Sequence, residues 1–146
     1  MSSEKFLVRS AVYLMLLKED KILLAKRFNT GWMDGKYSLV AGHLDGNEPV
    51  SSAMIREAKE EAGITIEKDD LTPATVIHRK FPGEEYVDFF FVCKKWTGNP
   101  TIMEKDKCDE MSWVSLDNLP DNLLPYIREA LNNYKNRISF SETGWN

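Results

Sequence analysis

The sequence predicts an α+β fold, rich in strands, with one internal helix and one helix near the C-terminal end. Three observations carry that expectation. Apolar, β-branched and aromatic runs of strand length recur along the 146 residues. Clusters of Gly, Pro, Asn and Asp separate these runs. Two stretches, one following Pro49 and one at 125–135, instead carry helix-forming residues at helical spacing.

The first strand is 8–17 (VRSAVYLMLL), rich in β-branched and apolar residues, which reads as a buried strand. Lys18-Glu19-Asp20-Lys21 turns the chain, and 22–26 pairs back to form a hairpin. The segment 28–37 (FNTGWMDGKY) reads as loop, and 38–40 as a short strand leading to Ala41-Gly42. Beyond the internal helix, 64–66 and 75–79 are strand pieces separated by Asp69-Asp70 and Pro73. A turn-bearing loop, 80–85, precedes the aromatic strand 86–94 (YVDFFFVCK), and a polar loop, 96–109, precedes the strand 110–116. Asp117-Asn118-Leu119-Pro120 turns into the last helix, and the tail 139–146 carries Phe140 and Trp145.

Composition is that of one globular domain, 1–146, with 42% hydrophobic and 29% charged residues. A net charge of −4 argues against a general nucleic-acid surface, which would show a basic stripe, yet it admits a nucleotide arriving with a divalent cation. No apolar run reaches membrane-spanning length, and residues 1–5 do not read as a signal peptide. Cys93 and Cys108 lack metal spacing. A reduced, cytoplasmic setting is expected.

The chemistry is concentrated in 42–64, GHLDGNEPVSSAMIREAKEEAGI. Pro49 suits a first helical position, and Gly63 is placed to end the helix in a left-handed conformation. On this helix Glu57, Glu60 and Glu61 share a face with Val50, Ala53 and Met54. Ser51, Ile55, Ala58 and Ala62 form a second apolar or small stripe, so the helix is covered on more than one side. Carboxylates about 6 Å apart repel by roughly 2–3 kcal/mol per pair at an effective dielectric near 20. Either they are exposed and screened, or they hold a cation; hard oxygen ligands suit Mg2+, or Mn2+ in its place. Arg56 can reach back to Glu48 and clamp the lead-in loop onto the helix, which makes these two residues orienters.

The stretch matches G-x5-E-x7-R-E-U-x-E-E-x-G-U, with U apolar, at every fixed position: Gly42, Glu48, Arg56, Glu57, Ala58, Glu60, Glu61, Gly63 and Ile64. A chance match in a chain of this length is on the order of one in ten million. The chain thus resembles the Nudix hydrolases strongly. The resemblance implies an α/β/α sandwich with a mixed sheet between helices. It also implies metal-dependent hydrolysis of a pyrophosphate bond in a nucleoside diphosphate derivative.

By position, the resemblance makes Glu57, Glu60 and Glu61 the acids of the metal site and leaves open which of them acts as base. It adds the backbone carbonyl of Ala41 as a metal ligand. Here the sequence has Val40-Ala41-Gly42 where the family more commonly has Pro-Gly-Gly, a change that a carbonyl ligand tolerates. Lys26 and Arg27, at a strand end, are either surface charges or phosphate contacts. Trp32 and Met33 either stack on a base or cover the core. His43 is more readily a hydrogen-bonding loop residue than a catalyst. For a further acid from a distant loop the first candidate is Glu110, equally readable as a strand-edge charge, followed by Glu84 or Glu85.

The expected substrate is a small nucleotide, a (deoxy)nucleoside triphosphate, with ADP-ribose or a nucleotide sugar as the alternative. A non-catalytic nucleotide sensor would be free to lose its helix acids, and here all remain. Family members are often homodimers; the sequence itself shows no interface.

Overall fold

The structure is a computed structural model and describes residues 4–145. It contains β1 (Arg9–Lys18), β2 (Lys21–Arg27), β3 (Tyr37–Ser38), β4 (Val40–His43), α1 (Val50–Ala62), β5 (Leu71–Phe81), β6 (Glu84–Cys93), β7 (Cys108–Ser115), α2 (Pro125–Lys135) and β8 (Phe140–Thr143). β1 organises the sheet. On one side it pairs in parallel with β6 from Arg9 to Leu16. On its other side it has two partners: β4 antiparallel over Ala11–Leu14, then β2 antiparallel at Leu17–Lys18. The sheet therefore forks, with β6, β5 and β8 continuing one way and β3 and β7 flanking β2.

The uninterrupted apolar run of β1 is explained by burial on both faces. Ala11, Tyr13, Met15 and Leu17 join Phe90, Ile77 and the α2 residues Tyr126, Ile127, Ala130 and Leu131 in one core. Val12, Leu14 and Leu16 join Phe91, Cys93 and the α1 residues Ala53, Met54, Ala58 and Ala62 in another. Each helix covers one face, giving the α/β/α sandwich with a mixed sheet. α2 occupies the bounds expected from sequence, with Pro125 opening its first turn.

Several local expectations need correction. Pro49 lies one position before α1 as its N-cap rather than inside it, in an extended conformation. The run 38–40 divides into β3 and β4. Pro73 does not interrupt β5; it sits where the β5–β6 register shifts, the bulge absorbing a residue that cannot donate to the ladder. Residues 64–66 contribute only a bridge between Thr65 and Thr97. The tail forms β8, parallel to β5; Asn146 lies outside the described residues.

Candidate active site

Gly63 ends α1 at φ 69°, the left-handed conformation expected. The helix lies against β4, and the two carboxylates four residues apart, Glu57 and Glu61, meet that strand together. Glu61 Oε1 accepts the backbone N–H of Ala41 at 3.1 Å. Glu57 lies so close to Gly42 that a Cβ there would overlap its carboxylate, so any larger residue would displace the Glu57 side chain. Glu57 is buried and Glu61 half-buried. Burial pushes the Glu61 carboxyl up to about 8, opposed by the Ala41 N–H and reinforced by the charges of Glu57 and Glu104. Burial raises the Glu57 carboxyl too, against the pull of Arg56.

Glu60 departs from this pair. It is exposed and reaches Arg56 Nη1 at 3.4 Å, because position 60 is rotated off the line joining 57 and 61. Of the three acids expected on this face, Glu57 and Glu61 meet β4 and Glu60 stands beside them on Arg56. Among the described residues no three Asp, Glu, His or Cys side chains stand together tightly enough to hold an ion by themselves. The donors that do meet, two carboxylates beside a strand backbone, suit a hard cation that keeps several waters and takes its remaining ligands from phosphates. On that chemistry the residues fit Mg2+ or Mn2+.

Arg56 forms the clamp expected of it, and a wider one. Its Nη2 pairs with Glu48 at 2.8 Å and Asp45 at 3.2 Å and donates to the His43 carbonyl at 3.4 Å. Its Nη1 pairs with Glu57 at 2.8 Å. One guanidinium thus ties the loop after β4 to the helix acids and fixes the Glu57 carboxylate.

Ala41, Gly42 and Glu61 line a cavity of about 620 Å³ where the sheet forks. Lys26, Arg27, Trp32 and His43 line it as well. Arg27 is committed to the loop: Nε donates to the Trp32 carbonyl at 2.8 Å, Nη2 to Thr30 Oγ1 at 3.0 Å, and its guanidinium lies 4.9 Å from the Trp32 ring centroid. Asp34 accepts from Thr30 and Gly31, stapling the same loop. Trp32 is therefore presented to the cavity on a braced turn.

Glu110 is not brought into this cavity. Its carboxylate accepts from the Tyr37 hydroxyl and from Ser112 Oγ, and it lines a separate, shallower groove with Asn118 and Asp121. Neighbouring side chains on a strand point to opposite faces, so Met111 lines the cavity where Glu110 does not, and the register shift opposite Lys26 and Arg27 brings Cys108 to the cavity as well. Of the alternatives, Glu84 lines the cavity and pairs with Arg9 at 3.3 Å, while Glu85 faces His78 at 3.1 Å.

Sequence reasoning missed two groups. Glu104 and Lys107, in the loop before β7, line the cavity beside Glu61. Arg79, Tyr13 and Tyr126 form another part of its wall. Arg79 is 6% exposed and binds the wholly buried Asp88 through Nε at 2.7 Å and Nη2 at 3.3 Å. A signal for this pair was present: Asp88 shares the strand face of Phe90 and Val92, and Arg79 that of Ile77. Charges at core-facing positions are exceptional.

The NUDIX domain family matches residues 7–134. The crystal structure of a MutT NUDIX hydrolase from Burkholderia pseudomallei superposes with a TM-score of 0.81 at 30% identity, covering 87% of this chain and 98% of that one. An 8-oxo-dGTP diphosphatase of Escherichia coli (strain K12) is 27% identical over 119 residues, 80% of this chain and 91% of the relative. An NAD-capped RNA hydrolase NudC of Pseudomonas aeruginosa (strain LESB58) is 24% identical over 110 residues. That alignment takes in 75% of this chain and 37% of the relative, so the chain corresponds to well under half of that protein.

Proposed function

The chain belongs to the Nudix family, and from that membership we propose that it hydrolyses the pyrophosphate linkage of a (deoxy)nucleoside triphosphate. The observation carrying this reading is that Glu61, Ala41 and Gly42 line a cavity able to hold one nucleotide, with Glu57 packed against Gly42. The triphosphate is favoured because the relative aligned over 91% of its length is named for a triphosphate substrate, whereas the RNA-cap hydrolase extends far beyond the aligned region. ADP-ribose or a nucleotide sugar is the alternative.

Nudix hydrolases generally use divalent metals, and Mg2+ is proposed here. A bound Mg2+ would neutralise phosphate charge and lower the pKa of a coordinated water. Glu57, Glu61 and the Ala41 carbonyl would hold it. Arg56 keeps the Glu57 carboxylate in place through its 2.8 Å pair. Lys26 and Lys107, both on the cavity wall, offset phosphate charge. Of the carboxylates lining the cavity, Glu84 is paired with Arg9, which leaves Glu61 and Glu104 to accept a proton from the attacking water. No described helix is long and apolar enough to cross a membrane, and the site of action proposed is the cytoplasm.

The test is release of phosphate or pyrophosphate with Mg2+ across triphosphates, oxidised triphosphates, ADP-ribose, nucleotide sugars and dinucleoside polyphosphates, with Glu61→Gln as control. Turnover confined to triphosphates and lost in the control is the expected result. Turnover of another class alone reassigns the substrate. Tight nucleotide binding with no turnover of any class would replace hydrolysis with sensing.

A further inference from the structure

The cavity wall contains a second polar centre that shares no partner with the helix carboxylates. Arg79 on β5 is held against β6 by its two bonds to Asp88 and donates from Nη2 to the Tyr13 hydroxyl at 3.4 Å. Tyr13 in turn bonds Tyr126 of α2 at 2.9 Å. The guanidinium is 4.0 Å from the Tyr126 ring centroid, 4.5 Å from that of Tyr86 and 5.3 Å from that of Phe81. These bonds engage Nε and Nη2. No fully buried side-chain nitrogen among the described residues lacks a partner, so Nη1, which has none, keeps access to solvent on a residue that lines the cavity.

Two features decide what such a donor binds. Its charge is already balanced at 2.7 Å by Asp88, so it is poorly suited to hold a phosphate, whereas Lys26 and Lys107 line the same cavity. Its surroundings are aromatic: Phe81 stacks on Tyr86 at 5.6 Å, and Trp32, on its braced loop, stands 6.3 Å from Phe81. A fixed, neutralised donor among aromatic faces matches a flat heterocycle carrying a hydrogen-bond acceptor.

We propose that Arg79, positioned by Asp88, determines base specificity by donating from Nη1 to an oxo group of the substrate's nucleobase, and so selects oxo-bearing bases over adenine. Adenine presents an amino donor where a 6-oxopurine presents its acceptor, leaving two donors facing each other. This rests on the proposed nucleotide hydrolysis for its substrate class, and it is tested separately from it.

The experiment compares inosine and adenosine nucleotides, which differ at the purine 6-position and in the proton carried on N1. For the wild-type protein kcat/KM is measured for ITP and ATP with Mg2+, and binding of IMP and AMP is measured by calorimetry. Preference for the oxo base by about tenfold or more is expected in both, carried mainly by KM. Arg79→Lys retains a cation for Asp88 while shortening the donor; it is expected to reduce the preference to about threefold or less, chiefly by weakening the inosine nucleotides. Urea unfolding confirms that the variant is folded, and Asp88→Asn, which loosens Arg79 without removing it, is expected to lower the preference in the same direction. Equal binding of IMP and AMP by the wild type overturns the proposal, as does an Arg79→Lys variant that weakens both equally. Absence of triphosphate turnover would sink hydrolysis alone, since the monophosphate comparison reads the base directly.

Discussion

Two arginines organise this molecule, and they do so in opposite settings. Arg56 is a quarter exposed at its side chain, 27%, and faces four carboxylates, those of Asp45, Glu48, Glu57 and Glu60. Arg79 is buried, with one carboxylate and a surround of aromatic rings. Water screens the first network, and no single pair in it carries much stability. In the second, each charge depends on the other, because an unpaired charge at that depth has no solvent to turn to. The contrast separates a clamp that orients the helix carboxylates from a buried pair that the fold cannot easily lose.

The sharpest way to break the comparison is to truncate both arginines. Arg79→Ala leaves Asp88 buried without its counter-ion, and unfolding free energy is expected to drop by about 3–5 kcal/mol in urea denaturation. A loss under about 1 kcal/mol would mean that Asp88 is readily neutralised and that the pair is not a structural unit.

The helix carboxylates supply the next largest effect. In the absence of divalent metal, Glu61 holds its proton up to about pH 8, against 4.5 for an ordinary glutamate. Its folded-state pKa is therefore raised. The stability associated with the protonated form is complete below about pH 4.5, declines as the unfolded chain ionises first, and is lost by about pH 8. Metal-free thermal unfolding is expected to show this decline, on the order of a few kcal/mol in all. Glu61→Gln should flatten it, and Mg2+ should raise the melting temperature most at the upper end of the range. A flat profile in the metal-free wild type would count against the crowding of carboxylates beside β4.

Gly42→Ala probes the same crowding by steric means. A Cβ at Gly42 overlaps the Glu57 carboxylate, which must move or push β4 aside. Overpacking of this kind costs about 1–3 kcal/mol. Turnover should fall more than stability alone explains, because the displaced group belongs to the proposed metal site. Unchanged turnover with normal stability would show that the Glu57 position is not needed for chemistry.

The same contrast explains what was legible in the sequence. The Arg56 network joins residues no more than 13 positions apart, so a local pattern and helical periodicity contain most of it. Even there, periodicity placed Glu60 with its neighbours, whereas its position around the helix turns it toward Arg56 and solvent. The Arg79 network joins β5 to β6, β1 and α2, with separations of 66 residues from Arg79 to Tyr13 and 113 from Tyr13 to Tyr126. No local motif records such a contact. β8 escaped for a related reason: a four-residue strand with alternating half-burial gains its identity from pairing with β5 rather than from its own composition. Glu110 was readable either as a further acid or as a strand-edge charge because a strand's faces differ at every residue, and local sequence does not show which face meets the cavity.

Arg56→Ala sharpens the comparison from its weaker side. Its ion pairs are partly solvated and share one cation, so they do not add, and a loss of about 1 kcal/mol of stability is expected. The functional loss should be larger than the structural one. Without Arg56, Glu57 loses its 2.8 Å partner, and Glu48 and Asp45 no longer anchor the loop that follows Gly42. Groups that orient metal ligands typically contribute 10–100-fold in metal affinity or activity. The Mg2+ concentration for half-maximal turnover should therefore rise by about that factor. Arg56→Lys should recover part of the stability and little of the metal affinity, because one ammonium cannot bond Glu48 and Glu57 with the geometry of a guanidinium. If lysine restored both equally, charge alone would account for position 56, and the distinction between the two arginines would reduce to depth of burial.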